Sequence, residues 1–241
     1  MKQVFLFIFL FLPNTLFGFS SVTGNQPRLN WDIHSKITHP VVDKMGFSYI
    51  SFRQILTGNV SHDYYPAMVK KAGLHCDRNR GVSNFVALTD CRKSFLRFKK
   101  KALSFIYRNN QMSALFYLGK ALHILQDLVS HSNFIDLNKN DRLIIVGYFL
   151  GGPKHKNFPN FKLTFWDPVT IPNEKADRYH HAKYAKDSSS FNKECRHIIK
   201  GTKQSKFDLA FSTAQDLTKG FLLGLKNKLK SKQWEKLKLR N

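Results

Sequence analysis

The sequence predicts an all-α fold, a single multi-helix domain with one irregular, aromatic-rich insert. Apolar residues recur at three- and four-residue intervals in one segment after another, whereas the alternation of a strand is scarce. In the most apolar of these segments, "YLGKALHILQDLVSHSNF" at residues 117–134, His123, Asp127 and His131 also recur at the helical step. The segments are too many and too uneven in length for a simple four-helix bundle.

The first twenty residues stand apart from this domain. Lys2 is followed by the apolar run "VFLFIFLFL", then by Pro13 and the small residues Gly18 and Ser20. A basic start, a short apolar core and a small-residue exit make a secretory signal. The core is well short of the ~20 residues that a spanning helix needs. Residues 1–20 are therefore expected to direct export, with secretion or passage beyond the inner membrane, and residues 21–241 to form the domain.

Within the domain, "DIHSKITHPVVDKM" predicts a helix capped by Asp32, with Ile33, Ile37 and Val41 on one face and Pro40 a possible kink. "YISFRQILTG" predicts a second, short helix stopped by Gly58, and residues 61–81 read as irregular. From about Thr89 to Tyr107, Phe95, Phe98, Leu103 and Ile106 face away from a lysine cluster. Asn110 opens a long helix through about Ser130. Residues 137–172, rich in Gly, Pro and aromatics, are the least helical, and helices are expected again over 175–186 and 203–228. The basic tail "KNKLKSKQWEKLKLRN" suits either a surface anchor or a solvated helix end.

With 39 Lys and Arg against 16 Asp and Glu the formal charge is +23, which attracts anionic membranes or nucleic acid but names no reaction. Three cysteines make no disulfide framework, and Cys76 and Cys91 are the pair nearest in sequence.

Residues at i, i+4 and i+8 of a helix drift only about 40° per step, so His123, Asp127 and His131 share a face with Gly119 one step before them. Two arrangements fit: an internal His–Asp hydrogen bond beneath leucines, or a set of metal ligands. The third polar member and the glycine, which marks a close approach by another group, favour metal. Similar ligands recur at His34; at Asp63 with His62 beside it; at His75 with Asp77 two residues on; and at His180, His181 and Asp187.

"QMSALFYLGKALHILQDLVSHSNF", "HSKITHPVVDKM", "HDYYP" and "LHCD" together resemble the zinc-dependent phospholipase C family and its relatives, the fungal zinc nucleases and the heterokaryon-incompatibility type C proteins. The resemblance runs in order over about residues 31–190, and the long helix is its specific part. It implies two or three Zn²⁺ ions held by His34, Asp63, His75, His123, Asp127, His131 and one of His180 and His181. Asp127 would bridge ions, and Asp63 would be a ligand or the base that aligns water. Two departures stand out. Asp127 and His131 are a plain helical step apart, closer to the incompatibility-protein branch. The family's closing His-x3-Glu has no glutamate here, since Tyr184 or Ala185 takes its place and Asp177 or Asp187 is the available substitute.

The implied chemistry is hydrolysis of a phosphodiester, in a phospholipase C releasing diacylglycerol and a phosphorylated headgroup. Phe158, Phe161, Phe165 and Trp166 beside Lys154, Lys156 and Lys162 suit a lipid interface, or else close the core beneath a long loop. The expected partner is thus a phospholipid or anionic membrane surface, ahead of nucleic acid. The alternatives are a zinc-dependent single-strand nuclease and a non-catalytic, metal-stabilised membrane-interacting protein.

Overall fold

Two glycines decide how the helices of this chain pack. In the computed structural model, which describes residues 33–64, 71–166, 179–189 and 192–239, helix α2 (Tyr49–Tyr64) lies directly against helix α4 (Gln111–Ser130). A Cβ on Gly58 would stand 1.9 Å from the Phe116 carbonyl oxygen, and one on Gly119 would stand 1.9 Å from that of Ile55. Only a bare Cα permits backbone contact this close. Gly58 therefore does not stop α2 as expected. It is a contact point, and the helix runs on to Tyr64. The close approach expected at Gly119 is that of α2.

The described residues are mainly helical and bear out the all-α class. Helix α1 (Ile33–Lys44) passes through Pro40 and packs on α2 and on α8 (Lys206–Lys226). Helix α3 (Asn84–Tyr107) begins five residues before the expected start because the Ser83 side chain accepts a hydrogen bond from the Val86 amide. Asn109, at φ 55°, turns the chain into α4, and the Asn110 side chain caps that helix. From Leu118 to Ser130 every residue of α4 is buried, as befits a helix enclosed by α2, α3 and α8.

The supposedly irregular stretch after residue 137 contains α5 (Lys139–Phe149), capped by the Asn138 side chain on the Asp141 amide. Short helices α6 (His181–Tyr184) and α7 (Lys193–Arg196) follow; the start of the helix expected over 175–186 lies outside the described residues. The tail folds into α9 (Ser231–Leu237). Leu229, Trp234 and Leu237 are buried, Trp234 meeting the Phe47 ring edge-on at 5.2 Å, so these residues are core rather than a membrane anchor.

The aromatic insert also turns inward. Phe161 and Phe165 are only 5% and 9% exposed, and Phe158 packs edge-on against Phe85 and Tyr148. The side chain of Trp166 lies outside those described, as do residues 1–32 and with them the expected signal and the Asp32 cap. A two-residue parallel ladder joins β1 (Arg78–Asn79) to β2 (Phe165–Trp166), and a bridge from Phe165 to His180 extends it. No helix among the described residues is long and apolar enough to cross a membrane.

Gly119→Ala should force α2 off α4 and cost at least about 1–3 kcal/mol, measured by thermal unfolding. Gly220, with open space around its Cα, is the control: Gly220→Ala in exposed α8 should stabilise by up to about 1 kcal/mol.

Candidate metal centre

Because α2 and α4 run side by side in the same direction, the end of α2 comes level with the polar stripe of α4. Asp63 is thereby brought to His123 and Asp127, while α1 contributes His34 and the loop after residue 71 contributes His75. Asp127 lies at the middle. Its Oδ2 is 2.9 Å from His123 Nε2 and 3.3 Å from His75 Nδ1, and its Oδ1 is 3.6 Å from His34 Nε2. Asp63 Oδ1 lies 3.6 and 3.7 Å from the same His75 and His123 nitrogens. His34, His123 and Asp127 form one group able to hold a metal ion, and Asp63, His75 and His123 form another, with His123 common to both.

The electrostatics of this cluster call for a cation. Burial pulls the His34 imidazole below its ordinary pKa and takes His123 down to about 3, so both rings are neutral. Burial opposes the charge on Asp127 too, but the neighbouring His123 and His131 outweigh it and hold its carboxyl well below the usual range. Neither Asp127 oxygen has a partner besides these imidazoles, and His123 Nδ1 has none. A buried carboxylate with only neutral imidazoles such as His34 and His123 at these distances is incompletely compensated, and a divalent cation among them completes the compensation. Imidazole nitrogen and carboxylate oxygen are the donors that zinc takes.

Gln126, one residue before Asp127 and absent from the ligand pattern, orients this set. Its Oε1 accepts from His34 Nδ1 at 2.7 Å and from the Asn59 amide, and its Nε2 donates to Thr38 and Thr218. With its Nδ1 proton fixed there, His34 presents Nε2 to the carboxylates, the usual role of a partner behind a ligand. His62 comes along with Asp63. Its buried ring lies 4.8 Å from that of His123, neither nitrogen is hydrogen-bonded, and burial drives its pKa well down.

His131 does not join His123 and Asp127. It caps α4, its amide bonding to Asp127 O, and its ring turns into a second cluster with Asp77, His181 and Asp187. His131 Nδ1 and Nε2 stand 3.3 Å from Asp77 and 3.2 Å from Asp187; His181 Nδ1 and Nε2 stand 3.1 and 2.9 Å from the same two carboxylates. Thr164 donates to Asp77 and Ser130 to Asp187. Despite burial, the carboxylates raise His131 well above its ordinary pKa and His181 to about 9. Two imidazolium ions and two carboxylates thus balance. Asp77, His131 and His181 can also hold a metal ion, but here the ion must displace protons.

His180 belongs to neither cluster. Adjacent residues at a helix start point apart, and its ring meets Phe165 edge-on at 5.1 Å. Asp187, one of the two substitutes considered for the missing glutamate, lies in this second cluster; Asp177 lies outside the described residues. Asp77 enters the cluster although the ligand pattern passed over it. Its signal was its position, since residues 75 and 77 flank Cys76, whose φ of 49° sends them to different clusters. Cys76 is disulfide-bonded to Cys91 on α3, the pair nearest in sequence, because the loop folds back over the start of that helix. Closing this 15-residue separation is worth about 3 kcal/mol by chain entropy.

Lys186, fully buried, donates to the carbonyls of Ser130, Ser132 and Tyr184. It closes the end of α4 on either side of His131.

No family model and no solved structure matches this chain. Among curated proteins, the von Willebrand factor A domain-containing protein 7 of Mus musculus is 32% identical over 98 residues, 39% of this chain and 10% of that protein. The match spans about a tenth of that relative's length and fixes no activity for this one.

The second cluster makes a pH prediction for the metal-free protein. The pKa of His181 is raised from 6.5 to about 9 on folding, so its contribution is complete below about pH 6.5 and is lost as pH rises through 9. Thermal unfolding in chelator should show that decline. His181→Gln should weaken it, leaving the share that comes from His131, and cost about 3–5 kcal/mol at neutrality, because two buried carboxylates are left with one imidazolium between them.

Proposed function

We propose that this chain is an exported zinc-dependent phosphodiester hydrolase of the phospholipase C type. The observation that carries the proposal is Asp127, a buried carboxylate whose two oxygens face imidazole nitrogens from three separate segments and have no partner besides those rings. His34, Asp63, His75, His123 and Asp127 are the residues that would hold one or two ions, and Asp77, His131, His181 and Asp187 a further one. The same His and Asp positions, apart from Asp77 and Asp187, carry the resemblance to that family.

When bound, zinc supplies Lewis-acid polarisation of a phosphodiester and a water acidified to near neutrality. Asp127 spans the two ligand groups and keeps their separation fixed. Asp63 is the member of the first cluster with solvent access, its side chain 6% exposed against 0–1% for the others, which suits it to take the proton of an attacking water. Cleavage on the glycerol side of the phosphate gives diacylglycerol and a phosphorylated headgroup. The lipid assignment draws on the resemblance and on the basic charge; the aromatic insert, being buried, no longer contributes to it. Export draws on the N-terminal sequence and on the Cys76–Cys91 bond, which suits an oxidising compartment.

Purified mature protein should contain two or three zinc ions by elemental analysis and release phosphocholine from phosphatidylcholine. Less than one ion per chain after refolding with zinc would refute the site. Asp127→Asn should lower hydrolysis by at least about a thousandfold while the helical circular dichroism persists, in line with losing the central charge of a catalytic electrostatic array. Digestion of single-stranded DNA without diacylglycerol release would transfer the assignment to a nuclease.

A further inference from the structure

One turn of α4 before His123, on the same stripe, stands a lysine with no counter-ion. Lys120 is only 6% exposed, and among the described residues no carboxylate lies within ion-pair distance of it. Its ammonium is placed over the rings of Phe98 and Phe116, at 5.5 and 5.1 Å. On the neighbouring helix α3, the Arg97 guanidinium lies 4.8 Å from the same Phe98 ring, and Lys101 lies 4.9 Å from the ring of Tyr117. Burial first, then Arg97 and Lys101, lower the Lys120 pKa to about 8. Three cations therefore converge on one aromatic surface between α3 and α4. Ring faces attract cations but accept no strong hydrogen bond from them, and they do nothing to relieve the mutual repulsion.

We propose that Lys120, Arg97 and Lys101 form an anion-binding subsite for a phosphate group, one helical turn from the metal centre. The residues connect the two places directly: the His62 ring, 4.8 Å from that of His123, lies 5.3 Å from Phe98. A phosphate accepts hydrogen bonds from several cations at once and offsets the charge that now lacks a partner. The identification of the natural ligand as a substrate phosphate rests on the phosphodiester reading; the anion site itself does not.

The test uses the full mature chain after metal removal, so that neither zinc nor hydrolysis contributes. Inorganic phosphate binding is followed by calorimetry. One site is expected, weakened by added salt, reduced roughly tenfold or more by Lys120→Met and largely restored by Lys120→Arg. If Lys120 is only an internal brace for the rings, Lys120→Met will lower the melting temperature and leave phosphate affinity unchanged, which overturns the proposal. The expected result is the reverse: equal or higher melting temperature, because a buried unpaired charge is gone. Should Lys120→Met not fold, the surface pair Arg97→Ala with Lys101→Ala must still lose affinity, and unaltered binding there overturns the proposal too. Phosphocholine and a deoxynucleoside 5′-monophosphate are then compared as competitors. Competition by either supports the site, and the stronger one identifies its source; failure of both to displace phosphate refutes it. Loss of zinc-dependent hydrolysis with this binding intact would refute the proposed function alone.

Discussion

Everything in this fold that bears on chemistry depends on the backbone contact between α2 and α4. Helices ordinarily pack with their axes 8–10 Å apart, held off by side chains. Gly58 and Gly119 remove the side chains at the crossing, and each accepts a carbonyl of the other helix where a Cβ would be. Asp63, five residues beyond Gly58, is thereby close enough to share imidazole neighbours with Asp127. At an ordinary separation the two carboxylates would face different sets of ligands. The candidate metal cluster is thus a consequence of two missing methyl groups, and the leucines of α4 serve to enclose it.

A second constraint divides the polar residues between two clusters of opposite character. His75 and Asp77 straddle a disulfide-bonded Cys76 in left-handed conformation, so one short segment feeds both. His131 Nδ1 also lies within hydrogen-bond distance of the His75 carbonyl, tying the clusters together through the backbone. In the first cluster burial wins at His34 and His123, whose imidazoles are neutral, leaving carboxylate charge that a metal could meet. In the second, two carboxylates grip each of two rings and the protons themselves provide the positive charge. The second arrangement holds α4, α6 and the β1 loop together without an ion.

The helical class and the ligand stripe were legible in the sequence because both are periodic, and periodicity survives without knowledge of contacts. What was not legible depended on what lay opposite. Gly58 has the composition of a stop and the function of a contact, and only the presence of Phe116 distinguishes them. Phe161 and Phe165 look like an interface because they alternate with lysines, yet the β1–β2 ladder turns them inward. His180 and His181 are interchangeable as letters; the bridge from Phe165 to His180 selects His181 for the cluster. Gln126 carries no ligand signature at all, although its four hydrogen bonds fix His34.

The charge of the chain also takes on a different meaning once the acidic residues are placed. Asp63, Asp77, Asp127 and Asp187, four of only 16 acidic residues, are committed to the two clusters. The rest of the molecule is left with twelve acidic groups against 39 Lys and Arg. Part of the formal charge of +23 therefore reflects a separation, with four carboxylates held inside and most Lys and Arg left outside. Such a field draws anions toward the surface over distances of about a Debye length, 8 Å at physiological ionic strength. It does not select among them. Selection requires a cation that has given up solvent, and on this reasoning Lys120, enclosed by rings beside the metal centre, is better suited to recognition than any of the exposed lysines that account for most of the charge.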